Sequence, residues 1–110
     1  MTTVEMTSEQ TSQLPSGAGR IYAETVSLVD PATQSDAYLI PSDSINDIAC
    51  VLTGDGSIDF TVFPVSAIED DSAVWETWDG LSQVNRSVTA FRVNRTSGTV
   101  VGRVVIRTHE

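Results

Sequence analysis

Ser57-Ile58-Asp59-Phe60-Thr61-Val62-Phe63, stopped by Pro64, is the stretch that decides the fold class. Side chains alternate across a strand, so Ile58, Phe60 and Val62 share one face and Asp59 and Thr61 the other. That two-residue period is the mark of a half-buried strand. Just upstream lies the apolar run Ile48-Ala49-Cys50-Val51-Leu52, and Thr53-Gly54-Asp55-Gly56 separates the two. Two strands flanking a short Gly-Asp-Gly turn predict a β-hairpin.

The same punctuation continues outward in both directions. Residues 64–71 read as a loop with room for one helical turn. Residues 73–78 read as a strand that ends at Asp79-Gly80, a strong turn signal. In 88–95, Phe91 and Val93 face one way and Arg92 and Asn94 the other; Thr96-Ser97-Gly98 is the next expected turn. In 99–107, Val100, Val104 and Ile106 alternate with Arg103 and Arg107. Upstream, 20–29 runs to Asp30-Pro31 and 37–40 runs to Pro41. Val, Ile and Thr are abundant, as strands prefer, and no stretch keeps a helical period over three turns. About seven short strands at this spacing predict an all-β fold, a single small antiparallel β-sandwich or barrel over residues 20–110. Residues 1–19, polar and broken by Pro15 and Gly17-Ala18-Gly19, read as a flexible N-terminal arm that either dangles or orders on a neighbouring subunit.

At 110 residues, with 40% hydrophobic and 19% charged residues, the chain is expected to form one globular domain. It contains no apolar run long enough for a membrane-spanning helix. Its first 20 residues lack the basic start and apolar stretch of a secretory signal, so synthesis in the cytoplasm is expected. The net charge is −9, and all six basic residues are Arg. Such a surface repels phosphate, which argues against a nucleic-acid partner. An acidic surface without Lys also suits high salt, in which case the melting temperature rises with molar NaCl or KCl. The charge is unevenly placed. Residues 24–79 carry Asp and Glu but no Arg, whereas 86–107 carry Arg and no acid. Either the halves pair across strands within the chain, or the acidic face of one copy meets the basic strands of the next.

Groups that could carry chemistry are few. Cys50 sits in an apolar run and reads as a small buried hydrophobe. The only His, His109, lies beside the C-terminus, so neither a Ser-His-Asp nor a Cys-His constellation is expected. Zinc needs Cys and His clusters that are absent from the sequence, and no glycine-rich phosphate loop precedes a helix. Glu69, Asp70, Asp71 and Glu76 offer carboxylates for a glycosidase pair, but a chain of this length builds a substrate cleft with difficulty. Asp55, Asp59 and the 69–71 cluster are oxygen-rich without EF-hand spacing, and read as a solvated acidic loop rather than a calcium site. No catalytic, cofactor or metal site is therefore expected. Asn85-Arg86-Ser87 and Asn94-Arg95-Thr96 fit the glycosylation pattern and are taken as chance. Trp75 and Trp78 differ by three positions and face opposite sides of a strand. Trp78 is a candidate interface anchor, the alternative being a cover over the Asp79-Gly80 turn. With it, Arg92, Arg95, Arg103, Arg107, Glu69, Asp70 and Asp71 are the candidate interface residues.

Ser72-Ala73-Val74-Trp75, Trp78-Asp79-Gly80, Val88-Thr89-Ala90-Phe91-Arg92 and Thr96-Ser97-Gly98-Thr99-Val100 together resemble short all-β proteins from the virion gene modules of tailed viruses of bacteria and archaea. The resemblance implies a non-enzymatic structural protein. It would be a capsid decoration (cement) protein first, or a neck, tail or fibre component. It also implies binding in symmetric copies, as a homo-oligomer such as a trimer, to other virion proteins and above all the major capsid protein. Localisation would be the virion after synthesis in the host cytoplasm. A different class, a carbohydrate- or ligand-binding β module using Trp78 and the acidic loops, is the alternative.

Overall fold

The computed structural model describes residues 1–9, 21–41, 45–84 and 87–108. They form seven strands and one short helix: β1 (Thr3–Glu5), β2 (Ser8–Glu9), β3 (Ile21–Leu28), β4 (Ala37–Leu39), β5 (Ile45–Thr61), α1 (Val65–Glu69), β6 (Glu76–Thr77) and β7 (Ala90–Thr108). All seven strands belong to one sheet that is not closed. The all-β expectation holds. The sheet is mixed rather than antiparallel, because β1 runs parallel to β4.

The two glycine-rich segments do not turn the chain. Residues 45–61 are one strand of 17 residues, and residues 90–108 are one strand of 19. They pair antiparallel from Ile45–Thr108 to Thr61–Ala90. The expected turns at 53–56 and 96–98 lie opposite each other as irregularities in this ribbon. Between the pairs Thr53–Val101 and Asp55–Ser97, β7 has residues 98–100 where β5 has only Gly54. Extra residues on one strand form a bulge, which bends the pair and increases its twist. Gly98, at φ 65°, supplies the left-handed conformation the bulge needs. On β5 the glycines serve close approach, and Gly54 also takes a positive φ of 94°. A Cβ on Gly54 would sit 2.3 Å from the Thr99 carbonyl oxygen, and one on Gly56 would sit 2.1 Å from that of Asn94.

The bend divides the sheet into two halves. β7 is central throughout, with β5 along one edge. On its other edge β3 takes residues 100–107 and β4 takes 90–91. β2 extends the first half beyond β3, β1 extends the second beyond β4, and β6 lies against β5 at Asp59 and Phe60. The inner faces share one core. Val26, Leu28, Ile48, Val100, Val104 and Ile106 come from the first half, and Ile58, Phe60, Phe91 and Val93 from the second. Phe91 stacks on Tyr38 at 5.3 Å between centroids. The halves meet most closely at Gly102, where an added Cβ would lie 2.8 Å from Val93 Cγ2 and 3.5 Å from Ile58 Cδ1. The inward pattern of β7 is odd-numbered at Phe91 and Val93 but even-numbered from Val100 onward, so the bulge also resets which residues face the core.

The outer face of the second half is covered as well. Pro64 ends β5, and the chain returns over Ala90 and Ala37 as α1 and the segment leading to β6. Ile68 packs with these two alanines in a small second core, bordered by Met1, Leu39, Ala73 and Trp75. Alanines let the helix approach the sheet closely. This cover explains two departures from the alternation of 57–63. Asp59 and Thr61, on the polar face, are buried, and Val62, beyond the end of β5, is exposed. Of the strand expected over 73–78, only Glu76–Thr77 pairs. Within the expected arm, residues 3–5 and 8–9 pair into the sheet as β1 and β2. Residues 10–20 lie outside the described residues.

Candidate functional site

The buried carboxylate of Asp59 gathers the densest polar network. Ladder pairing sets Asp59 beside Arg92 and Ser57 beside Asn94, all on the covered outer face of the second half. Arg92 Nε donates to Asp59 Oδ2 at 3.0 Å, Asn94 Nδ2 to the same oxygen at 2.8 Å, and Thr77 Oγ1 to Asp59 Oδ1 at 2.8 Å. The Arg92 guanidinium also lies over the Trp75 ring, 4.3 Å from its centroid. Both carboxylate oxygens accept from donors of this chain, so the group ties the second half to its cover. Asn94 is equally committed. It accepts from Gln34 Nε2 at 2.8 Å and donates to Ser57 Oγ at 3.1 Å.

The expected interface residues separate into distinct places. Arg92 is inside the Asp59 network. Arg95 pairs with Asp30 at 3.8 Å and donates to the carbonyls of Gly98 and Ala32, holding the bulge to the loop after β3. Arg103 and Arg107 are exposed on the outer face of the first half, and Arg103 Nη1 donates to Thr25 Oγ1 at 2.8 Å. Glu69, Asp70 and Asp71 lie at the end of α1. There the Asp71 carboxylate meets the α-amino group of Met1 at 3.1 Å. Hydrogen bonds from Ser72 hold the Asp70 carboxyl below its usual range. Among the described residues no cluster of three or more His, Cys, Asp or Glu side chains is placed to hold a metal.

Trp78 is half-buried against the main core, and its Nε1 donates to the Ser82 carbonyl at 2.9 Å. The turn beneath it is fastened by Asp79, whose carboxylate accepts from Ser82 Oγ, from the Ser82 N–H at 2.7 Å and from the Leu81 N–H at 2.8 Å. These bonds, the Ser82 hydroxyl first, pull the Asp79 pKa down to about 2. Trp78 thus closes the Asp79-Gly80 turn while leaving one edge of the indole at a cleft with Glu76, Gln83 and Val88. Cys50 faces the core from β5, and burial pushes its thiol up to about 11. His109 and the Asn85-Arg86 part of the first glycosylation pattern lie outside the described residues.

One surface escapes a reading that follows only Arg. On the first half, alternate residues face outward: Thr25 on β3, Val101, Arg103, Val105 and Arg107 on β7, and Asp47, Ala49, Val51 and Thr53 on β5. None of the described elements packs over them, in contrast to the second half. Val51 is 58% exposed. The signal was present in the sequence: the outward positions that alternate with Arg103 and Arg107 hold Val101 and Val105, where a solvated face would carry polar residues.

Compared with known proteins, the chain matches no family model, no curated protein and no solved structure.

Proposed function

We propose that the chain is a non-enzymatic structural protein of a virion, a head decoration protein that binds the major capsid protein and stabilises the shell. The observation that carries the binding role is the outer face of the first half, over which no described element packs, where exposed Val51 and half-buried Val101 and Val105 lie among Arg103 and Arg107 on a chain of net charge −9. An exposed apolar strip with its own charge sign is what a protein–protein contact needs. The viral setting rests on the resemblance of residues 72–100. For the architecture, we infer a two-layer sandwich made by one sheet folded at its bulge, because inner-face side chains of both halves share one core.

Copy number in purified particles tests the assignment. By the symmetry of closed assemblies, copies in the hundreds place the protein on the head, about a dozen on the neck, and a handful at the tail tip. A chain absent from particles and unable to co-sediment with capsids sinks the proposal. The cleft beside Trp78 favours a second reading, a carbohydrate-binding module, which glycan binding by such a capsid-indifferent chain would support.

A further inference from the structure

The folded ribbon puts opposite chemistry on its two outward sides. The inner faces meet at Gly102, so the outer faces of the two halves point away from each other. On the first half the outward face is apolar and basic. Arg103 and Arg107 are its cations, and among the described residues neither has a carboxylate within ion-pair distance, although Asp47 lies opposite Arg107 in the ladder. On the second half the chain that crosses the outward face and then returns along β5, residues 65–81, carries Glu69, Asp70, Asp71, Glu76 and Asp79 and no basic residue. The same segment exposes three large apolar side chains, Val65, Val74 and Leu81, the last 94% exposed.

We propose that the Val51–Val101–Val105 face with Arg103 and Arg107 is the docking site for the 65–81 segment of a second copy of this chain. The inference rests on the reading above that the chain works by binding proteins, and it names one surface and one occupant. Each side carries what the other lacks: an apolar strip with two guanidinium groups that meet no carboxylate among the described residues, and a segment with exposed apolar side chains and five carboxylates. The contact is heterologous, since two different patches meet, so copies join head to tail and either close a ring or extend a row. A partner with the same patch on both sides would not explain why one face is acidic and the other basic. Two copies of charge −9 repel at long range, so the contact depends on local pairing of charges, and charge exchange reads it better than salt does.

Sedimentation velocity on the full chain tests this with two double variants. R103E with R107E reverses the basic side; E69R with E76R reverses the acidic side. None of the four side chains belongs to the Asp59 network or the cores. Each double variant alone should stay monomeric at concentrations where the wild type associates, its dissociation constant raised by about tenfold or more per reversed pair. Mixing the two variants should restore a complex. A wild type that is monomeric throughout the accessible concentration range overturns the proposal, as does association indifferent to R103E/R107E, or a mixture that stays monomeric. Capsid co-sedimentation of the same proteins separates the two ideas: a monomer that binds capsids ends the self-docking inference and leaves the decoration reading standing, and loss of both ends both.

Discussion

Replacing Asp59 by Ala perturbs the one buried carboxylate among the described residues. The Asp59 side chain is 8% exposed and that of its partner Arg92 is 18% exposed, so both groups are largely out of water. The substitution removes the acceptor of three hydrogen bonds, from Arg92, Asn94 and Thr77. It leaves a cation held against Trp75 with no counter-charge. Removing one member of a buried pair costs about 3–5 kcal/mol, and the residual exposure of Arg92 and its Trp75 contact place the expected loss near the lower end, about 3 kcal/mol. For a domain of this size that lowers the melting temperature by roughly 10–15 °C. Asp59→Asn keeps the volume and most hydrogen bonds but not the charge, and should cost about 1–2 kcal/mol. Asp59→Leu combined with Arg92→Met removes both charges. Asn94 then keeps its bonds to Ser57 and Gln34, so the double variant should lie within about 1 kcal/mol of wild type. Urea unfolding followed by tryptophan fluorescence measures all three, with an unchanged m-value confirming that only stability moved. A loss below about 1 kcal/mol for Asp59→Ala, or a double variant as damaged as Asp59→Ala, would refute the claim that this pair is desolvated and that its charge balance is what matters.

Three further outcomes are expected. Gly102→Ala should cost about 1–3 kcal/mol by thermal melting, because its Cβ presses on Val93, whereas Gly56→Ala should cost more, its Cβ meeting the rigid Asn94 carbonyl rather than a side chain; equal losses would argue against the close approach of the halves. With its pKa near 11, Cys50 should be alkylated slowly in the native protein at pH 8, where about one thiol in a thousand is ionised, and the rate should climb toward pH 11; since the folded pKa lies above the ordinary 9.0, the thiol's contribution to stability is whole below pH 9 and lost as pH rises through the folded value. Asp79 has the reverse sign: its contribution to the 79–82 turn is present above pH 3.8 and fades as pH falls toward about 2, which an NMR titration of its carboxyl should show, and Asp79→Ala should free the Ser82 carbonyl from Trp78 and shift the indole emission.

The sequence by itself determined that this chain is made of strands, and most of the side chains that point into the main core. Ile58 and Phe60, Phe91 and Val93, and Val100, Val104 and Ile106 are all buried where simple alternation puts them, because side-chain direction in a strand depends only on the local backbone. Trp75 and Trp78 likewise fall on opposite sides from their spacing alone, and the uneven charge was legible by counting. Connection was not. Gly54-Asp55-Gly56 and Thr96-Ser97-Gly98 satisfy a turn and a bulge equally well, since both use glycine for positive φ or close approach. Only the partner strand, lying against both glycines, selects the bulge, so that four expected strands became two long ones. The fate of each polar face was also hidden. Asp59 and Arg103 look alike as outward polar positions on alternating strands. One is buried because α1 and its following segment fold back over its half of the sheet, and the other faces outward because no described element does so. Burial of a face is set by what crosses it, and that is decided by tertiary structure alone.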